Sequence, residues 1–478
     1  MTLPALPARP IPWLSDLLDD AERCRALLDR WGSPLHLHRP DRLPLNAARY
    51  LDAAAAAGVD LDLFFARKAN KALSYVDHAR TAGLGIDVAS ENELRQAIDR
   101  GVEGARIVVT AAVKSPDLLR LAARHGACVV IDHPAEVAAL REVARAVPDH
   151  GPVEVALRLR GFQLPGGHHT SRFGVSVEEL PTVLESLGQG QRDGLATVGL
   201  HFHLDGYAAM DRAAAIDQCI TLGSTLRQRG LPIRFIDMGG GFPVQYAAEA
   251  AHWELFLETL DGALLGERPP ITFGNTGFGR LRSDEGTLAG RPAVYPHAQS
   301  PVGAAWMESI LTARRAKTDQ TVGKGLIEAE LTLRAEPGRA LLDSCGATLA
   351  RVEFVKSGAG AEKLVGVAMN GSNCRTRKSE LLTDPWHVMA GGGGEDAEEC
   401  EGYLVGAWCA EDDLITSRRL AFPHGVAPDD LIVFPNTAGY YMHFVESRSH
   451  QLPLPNNVVL GTTADDDRLD DIDRISPD

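Results

Sequence analysis

Short apolar runs and amphipathic stretches alternate along most of the chain. "LDLFFA" (61–66) has too few polar positions to face water and predicts a buried strand, and "NAARYLDAAAAAG" (46–58) before it predicts a helix that ends at Gly58. Seven further strands are predicted, with helical stretches such as "ENELRQAIDRG" between many of them. They are "LGIDVA" (84–89), "RIVVT" (106–110), "CVVID" (128–132), "VEVALRLR" (153–160), "TVGLHFH" (197–203), "PIRFIDM" (232–238) and "EAELTLRAE" (328–336).

Eight strands that alternate with helices imply parallel crossovers, and eight is the number that closes a (β/α)8 TIM barrel. An open, doubly wound sheet is the competing architecture. The positions of the unusual side chains favour the barrel, because barrel active sites form where the strands end. The residues at or just after predicted strand ends are Lys68, Asp87, Arg158, His203, Gly239, Gly240, Gly241 and Glu336.

The pattern changes after residue 340 to short β-rich pieces such as "KLVGVAMN" and "DLIVFPN". With the extended "PLHLHRP" (34–40), these pieces predict a mostly β domain assembled from both ends of the chain. We therefore predict four parts. They are an N-terminal segment 1–45 that joins the β domain, a barrel over 46–335 with a turn-rich insertion around 268–325, a C-terminal β domain over 336–460 and a solvated acidic tail over 461–478.

The composition of the chain limits the classes of partner that we expect. The 478 residues suffice for a barrel and a smaller module, and the formal net charge of −16 disfavours nucleic acid, whose phosphates would be repelled. The chain shows neither a run of about 18 apolar residues nor a signal-peptide pattern, so we expect a soluble, unexported protein with no membrane partner. Its seven scattered cysteines form no C-x-x-C pair, which fits a reducing cytoplasm. A small-molecule substrate is the better expectation.

Lys68 follows the apolar run 61–66 directly. A lone lysine usually extends its amine to solvent. At the mouth of a barrel, desolvation lowers the pKa of the amine, and a neutral amine condenses with an aldehyde cofactor.

Three more patterns can each be explained by a chemical role or by a structural or alternative one. Glycines 239–241 suit a phosphate cradle or a tight turn. Glu336 and Arg339 flank a Pro-Gly turn, where a carboxylate could hold a ring nitrogen protonated and a guanidinium could meet a phosphate, or where both form a surface ion pair. His201 and His203 suit a metal site of a hydrolase or a histidine stacked on a cofactor ring. Together with a rim lysine, the set describes a site for pyridoxal phosphate.

The motifs in their order along the chain resemble the fold-type III pyridoxal-phosphate decarboxylases, the group of ornithine, arginine and diaminopimelate decarboxylases. The resemblance runs from about Pro34 to about Tyr441. Its motifs are "FFARKAN", "LGIDVASENEL", "RFGVS", "HFHLDGY", "DMGGGFP", "EPGRALL", "GAWCAEDDLI" and "FPNTAGYY".

The resemblance implies a role for each rim residue. Lys68 would form the internal aldimine, with Asp87 and Glu93 in its supporting network. Arg158 would lie beneath the cofactor, and His203 would stack on the pyridine face. The phosphate would be bound by Gly239, Gly240, Gly241 and Arg339, and Glu336 would pair with the pyridine nitrogen.

Two further residues come from the predicted β domain. Cys409 matches the family cysteine that protonates the carbanion after carbon dioxide leaves, and Tyr440 matches the cofactor-site tyrosine. In the family both come from the partner subunit, so the resemblance implies a head-to-tail homodimer with shared active sites.

The chain departs from the family where substrate is recognised. Ala410 stands where an acidic residue normally follows the cysteine, although Glu411, Asp412 and Asp413 come next. The phosphate-binding serine is replaced in the region of Asp205 and Gly206, and Asn370-Gly371 stands where an Asp-Gly pair is frequent. The substrate candidates are Arg375, Arg377, Glu411 and Asp413, with Lys378 beside them. The basic residues would meet an anionic distal group, or they form a solvated loop.

We predict a pyridoxal-phosphate-dependent decarboxylase of an amino acid or amino-acid-like substrate, with Lys68, His203 and Cys409 as catalytic residues and no metal. Three alternatives remain. A racemase or epimerase would use the same lysine but transfers protons on both faces of Cα. A metal-dependent barrel hydrolase would use the two histidines, and a pyridoxal-phosphate carrier would bind the cofactor without turnover.

Overall fold

The computed structural model describes residues 3–147, 151–176, 178–187, 194–358, 360–376, 382–389 and 398–474. The chain divides into two compact units. The barrel unit comprises Leu43–Pro243 and Pro301–Leu341, and the β unit comprises Met1–Arg42, Val244–Ser300 and Leu342–Asp478.

Eight parallel strands close a barrel in the described part of the barrel unit, which confirms the predicted TIM barrel. The strands are Leu61–Ala66, Gly85–Val88, Ile107–Val109, Cys128–Ile131, Val153–Arg160, Leu195–His201, Phe235–Asp237 and Thr332–Ala335. They pair in chain order, and the eighth strand closes the ring on the first, with Leu333 opposite Leu61. Their near-continuous burial explains why the sequence shows apolar runs rather than alternation.

Helices surround these strands, and local capping signals fix their ends. They are Arg42–Ala56, Leu73–Thr81, Glu91–Asp99, Pro116–His125, Glu136–Ala146, Leu180–Leu187, Ala209–Gln228, Gly303–Leu311 and Val322–Glu328. The fourth is typical, since the Ser115 side chain accepts the amide of Leu118 at its start and Gly126 ends it with φ of 69°. The helix Val322–Glu328 occupies part of the stretch 328–336 that was predicted as strand, so the eighth strand begins at Thr332.

Among the residues that the structure describes, the main sheet of the β unit has nine strands. Seven strands lie side by side in the order Leu420–Phe422, Cys400–Val405, Lys363–Val367, Gly346–Ser357, Leu35–His38, Asn456–Val459 and Arg468–Leu469. Leu431–Pro435 pairs with both Gly346–Ser357 and Trp386–Val388. The N-terminal strand thus lies between two C-terminal strands, as predicted for a domain assembled from both chain ends. Helices Pro12–Leu18, Ala21–Trp31 and Ala250–Leu265 belong to the same unit.

The segment after the glycine run divides differently from the prediction. We predicted an insertion around 268–325 within the barrel, but Val244–Ser300 belongs to the β unit and only Pro301–Leu341 to the barrel unit. The reason is apolar burial, because Trp253, Phe256 and Leu260 of the helix Ala250–Leu265 form a core cluster with Leu6 and Leu382. Amphipathic patterning reveals a buried face but does not say which neighbour covers it.

The predicted acidic tail is only partly solvated in the residues described up to 474, because residues 462–466 are exposed whereas Asp467 and Asp470 are buried. Asp470 is fully buried, and Asp467 pairs with Arg23 at 3.1 Å. The strand Arg468–Leu469 pairs with Asn456–Val459. Acidic composition suggested a solvated face, but these carboxylates accept specific hydrogen bonds and complete the sheet.

None of the described helices has the length and apolar character that crossing a bilayer requires. All seven cysteines are present as free thiols.

Candidate active site

Side chains that bear chemistry gather where the barrel strands end. Lys68 lies in the short 3-10 turn Arg67–Ala69 directly after the first strand, and Asp87 lies within the second. Arg158 lies near the end of the fifth strand, Asp237 ends the seventh, and Glu336 follows the eighth. The carboxyl ends of parallel strands meet at one rim, so these residues form one site although they are far apart in sequence.

Lys68 forms an ion pair with Asp87, whose side chain is fully buried while that of the lysine is 37% exposed. Asp87 also accepts a hydrogen bond from the Thr110 hydroxyl. The carboxylate is therefore fixed from the neighbouring strand, and it holds the amine at the mouth of the barrel. An amine that is both tethered and reachable suits a covalent role.

Glu93 supports this corner from the start of the helix Glu91–Asp99. Its carboxylate accepts the backbone amide of Ala89 at 2.6 Å, and the Ser90 hydroxyl accepts the amide of Glu93 in return. Burial raises the pKa of Glu93 above its ordinary value, against the opposing effect of that amide bond. Glu93 thus fixes the turn between the second strand and its helix.

Arg158 is buried and fixed on two sides. Its guanidinium contacts Asp132 at 3.2 Å and lies over the ring of Phe173, 4.4 Å from the centroid. Asp132 also accepts the backbone amide of Gly174 at 3.1 Å. These contacts hold the guanidinium near the barrel-mouth residues His203 and Glu336, and its charge opposes part of the rise in pKa that burial causes at Glu336.

A buried cluster of His201, Asp237 and Glu336 lies where the sixth, seventh and eighth strands end. The Nε2 atom of His201 lies 3.1 Å from Oε1 of Glu336, and Asp237 completes the cluster. Burial, reinforced by Asp87, raises the pKa of Glu336 to about 8, and burial with Glu336 raises that of Asp237 to about 7. Burial lowers the pKa of His201 to about 4, so this imidazole is neutral at pH 7.

His203 and the glycine run form the adjoining part of the rim. The Nδ1 atom of His203 accepts the amide of Gly240 at 3.2 Å, which places the proton of the neutral ring on Nε2. Burial, with Lys68 and Arg158 nearby, holds the pKa of His203 well below its ordinary value. The amide of Gly239 donates to Asp237 at 2.9 Å. Two of the three predicted phosphate-binding amides thus have acceptors within the chain.

The glycines are required sterically. A Cβ atom at Gly239 would lie 2.6 Å from the Phe202 carbonyl oxygen, and one at Gly241 would lie 1.9 Å from Nη2 of Arg212. Gly239 and Gly241 also have positive φ, 64° and 81°. These observations support the tight turn, and phosphate binding by the run stays a prediction.

Arg212 is a site residue that sequence reasoning missed. It lies in the helix Ala209–Gln228, is fully buried, and donates from Nη2 to the carbonyl oxygens of Gly206 at 2.9 Å and Gly240 at 3.1 Å. It therefore ties the loop after His203 to the glycine run. Nothing in the sequence distinguishes it from a surface arginine on a helix, whereas Asp237, also missed, lies two residues before Gly239 and could have been noticed.

The predicted residues of the β unit are described within that unit. Cys409 is exposed in the turn after the strand Cys400–Val405, and Tyr440 has φ of 70°. Asp413, predicted to contact substrate, is buried instead, and its carboxylate accepts the amides of Gly371 at 2.9 Å and Trp408 at 2.8 Å. It shapes the turn that presents Cys409.

Of the other predicted site residues, three lie in the described part of the chain and two lie outside it. Arg375 lies over the Phe444 ring, 4.9 Å from its centroid, and Glu411 is exposed. Arg339 is partly buried in the turn after Glu336. Arg377 and Lys378 lie outside the described residues.

Comparison with known proteins identifies the arrangement. The family model "Pyridoxal-dependent decarboxylase, pyridoxal binding domain" matches residues 47–266. An uncharacterized protein, y4yA, of Sinorhizobium fredii is 32% identical over 430 residues, covering 89% of this chain and 87% of that protein. The chain belongs to the pyridoxal-dependent decarboxylase family. As a member it is a carboxy-lyase of the amino-acid decarboxylase class, with pyridoxal phosphate as cofactor.

A named relative and a solved structure are also similar to this chain. The diaminopimelate decarboxylase of Pseudomonas aeruginosa is 23% identical over 437 residues, covering 89% of this chain and 87% of that protein. The crystal structure of Helicobacter pylori diaminopimelate decarboxylase complexed with L-lysine has a TM-score of 0.67 at 17% identity, covering 93% of this chain and 95% of that one. The latter similarity concerns the fold.

The rim residues of this chain fit pyridoxal phosphate. A tethered amine at Lys68 suits the aldehyde, and the buried carboxylate of Glu336, whose pKa is raised, suits a ring nitrogen that carries a proton. The glycine turn leaves no room for a side chain at position 239 or 241, so it presents backbone at this rim, and backbone amides suit a phosphate.

Proposed function

We propose that this enzyme removes the α-carboxylate of an amino acid or amino-acid-like substrate, with Lys68 as the covalent lysine and Cys409 as the acid that reprotonates Cα. The observation that supports this most is the placement of an amine and a buried acid on adjacent barrel strands. Lys68 follows the first strand and Glu336 follows the eighth, which pairs with it. When bound, pyridoxal phosphate supplies an aldehyde for the lysine and a ring that accepts the electron pair released with carbon dioxide.

The residues of the chain supply position and protons. Asp87 holds the Lys68 amine, and Glu336 holds a proton at the cofactor's ring nitrogen, supported by His201. His203, neutral with its proton on Nε2, presents an uncharged ring face suited to stacking. Arg339 and the amide of Gly241 are the phosphate donors we propose, because the amides of Gly239 and Gly240 are engaged within the chain.

Cys409 is proposed as the proton donor because its thiol is exposed on a turn that a buried carboxylate shapes. The thiol proton would pass to Cα after carbon dioxide leaves, and water would then restore the thiol. An exposed thiol could also act in the active site of a partner subunit, so we also propose a homodimer with shared active sites. The cytoplasm is the compartment we expect.

The substrate is proposed only by class. Characterised relatives act on amino acids, as their names state. Arg375, held over Phe444 on the β unit, would favour substrates with an anionic distal group.

The decisive experiment is product analysis in deuterated water. The purified enzyme, pyridoxal phosphate and a pool of D- and L-amino acids that includes diaminopimelate are incubated, and products are identified by mass spectrometry. Loss of the carboxyl group with one deuteron gained at Cα supports the proposal. Retention of the carboxyl group with deuterium gained would instead establish a racemase, and binding of the cofactor without turnover of any pool member would favour a carrier.

A matched lysine pair tests the covalent role. Borohydride reduction should fix the cofactor to the peptide that contains Lys68, and Lys68→Ala should abolish this labelling and the visible absorption of the bound cofactor. Lys324→Ala, an exposed lysine of the same unit, should retain both. Labelling of any other lysine would refute the assignment.

Shared active sites are tested by mixing two inactive variants. Lys68→Ala and Cys409→Ala dimers that exchange subunits should regain about a quarter of the wild-type activity, because half of the random dimers then hold one intact site of two. No recovery in mixtures that demonstrably exchange subunits would place Cys409 in the site of its own subunit.

A further inference from the structure

The β-unit sheet has an unusually polar centre. The strand Leu35–His38 directs Leu35 and Leu37 into an apolar cluster, whereas His36 and His38 alternate with them and are fully buried. The neighbouring strands place Thr348 and Asn457 opposite His36 in register, and both are also fully buried. Apolar side chains would stabilise a sheet centre at lower desolvation cost, so these buried polar groups call for a chemical explanation.

A third imidazole joins this pair from the C-terminal part of the chain. The ring centroid of His443 lies 5.3 Å from that of His36 and 6.1 Å from that of His38. Imidazole is the commonest metal-ligating side chain, and here three imidazole rings lie beside one another.

Hydrogen bonds fix the orientation of the two rings that lie edge to face. Nδ1 of His36 lies 3.0 Å from the Thr348 hydroxyl. Nε2 of His443 lies 2.7 Å from Oδ1 of Asn457. The amide group of Asn457 cannot flip, because its Nδ2 donates to Asp473 at 2.8 Å.

The fixed amide determines the tautomer of His443. Since Oδ1 of Asn457 is an acceptor, Nε2 of His443 carries the proton and Nδ1 carries the lone pair. A ring nitrogen held by a second residue while the other presents a lone pair is the arrangement that accompanies metal-binding histidines. Thr348 holds the other ring at Nδ1 of His36, and it is itself bonded to Thr437 at 3.0 Å.

A carboxylate completes the set. One nitrogen from each of His36 and His443 and one oxygen from Glu446 all lie within 4.8 Å of one another. Ligand atoms around tetrahedral zinc are separated by about 3.3 Å, given zinc–nitrogen distances of about 2.0–2.1 Å, so modest side-chain movements would bring the three into range. His36 is fully buried while His443 and Glu446 are partly exposed, which leaves a path for an ion.

We propose that His36, His443 and Glu446 bind a divalent zinc-class ion in the β unit. Two imidazoles and one carboxylate favour zinc or a similar late transition metal over magnesium or calcium, which take oxygen ligands. The ion would join the N-terminal strand of the sheet to a segment just before its C-terminal strand, and so stabilise a unit assembled from distant parts of the chain. This proposal does not depend on the reaction proposed above.

The test uses the full-length holoenzyme, stripped with a chelator, re-saturated with pyridoxal phosphate and dialysed against zinc. Bound metal is counted by elemental mass spectrometry, affinity is measured by calorimetry, and the thermal midpoint is followed with and without zinc. We expect one zinc per chain and a rise in the midpoint. Glu446→Gln, which keeps the size of a partly exposed side chain, should weaken zinc binding at least about tenfold, and His443→Ala should remove it.

The control is His424→Ala, an exposed histidine of the same unit, which should bind zinc as the wild type does. Cobalt substituted for zinc should give visible absorption typical of nitrogen–oxygen coordination, and Glu446→Gln should alter it. Absence of bound zinc in the wild type would overturn the proposal. So would equal binding by the wild type and Glu446→Gln, which would place the ion elsewhere, for example at the buried cluster of His201, Asp237 and Glu336.

Discussion

Replacing Arg212 by methionine tests whether one buried cation holds the cofactor cradle together. Methionine keeps most of the side-chain length but removes every donor. Nη2 of Arg212 donates to the carbonyl oxygens of Gly206 at 2.9 Å and Gly240 at 3.1 Å, and so joins the loop after His203 to the glycine run that we assign to the phosphate. Without the guanidinium, both oxygens lose a buried donor.

The magnitude follows from those two bonds. A hydrogen bond to a charged group contributes about 1.5–3 kcal/mol net. Burial opposes the charge here and lowers the pKa of Arg212 to about 10, so each bond belongs at the lower end of that range. We expect the free energy of unfolding to fall by about 2–4 kcal/mol, and the Kd for pyridoxal phosphate to rise about 10- to 100-fold as the loops lose their register.

Arg227 provides a matched control on the same helix, Ala209–Gln228. It also donates to backbone carbonyls, those of Ile233 at 2.5 Å and Glu330 at 3.0 Å, but at the opposite end of the helix. Arg227→Met should therefore destabilise the protein comparably and leave the Kd for pyridoxal phosphate unchanged. The two quantities are measured by denaturant unfolding of the apoprotein and by fluorescence titration with the cofactor.

The reasoning is refuted if Arg212→Met and Arg227→Met weaken cofactor binding equally, since the effect would then be general loosening of the barrel. It is also refuted if Arg212→Met is destabilised but binds the cofactor as tightly as the wild type does.

Three further outcomes are expected. Glu336 has a folded-state pKa of about 8 against an ordinary 4.5, so its contribution to apoprotein stability is full below about pH 4.5 and is lost as the pH rises through 8. Glu336→Gln should therefore make the free energy of unfolding less dependent on pH over that range. An unchanged pH dependence would contradict the burial argument. Asp413→Asn places an amide group against the Trp408 backbone N–H and so misplaces Cys409. The kcat should fall about tenfold while the Kd for pyridoxal phosphate stays constant. Equal losses of turnover and of cofactor affinity would contradict this role for Asp413. Deleting 462–478 should lower the thermal midpoint, because Asp467 and the strand after it complete the sheet; an unchanged midpoint would restore the solvated tail.

The chemistry of the rim was largely accessible from sequence. A buried parallel strand leaves little choice but an apolar run, so eight such runs specified the barrel. The ends of parallel strands converge, so Lys68, Asp87, Arg158 and Glu336 could be assigned to one rim without coordinates. Gly241 could be singled out because glycine is required where a backbone turns with positive φ.

Only the tertiary structure decided which residue partners which. Arg212 and Asp413 resemble ordinary surface charges in sequence, and their roles depend on carbonyls and amides contributed by distant loops. The assignment of Val244–Ser300 to the β unit depends on which apolar face covers its helix. The burial of Asp470 depends on the strand beside it. Local periodicity determines secondary structure because it reflects neighbours along the chain, whereas hydrogen-bond partners and burial are set by contacts between residues far apart in sequence.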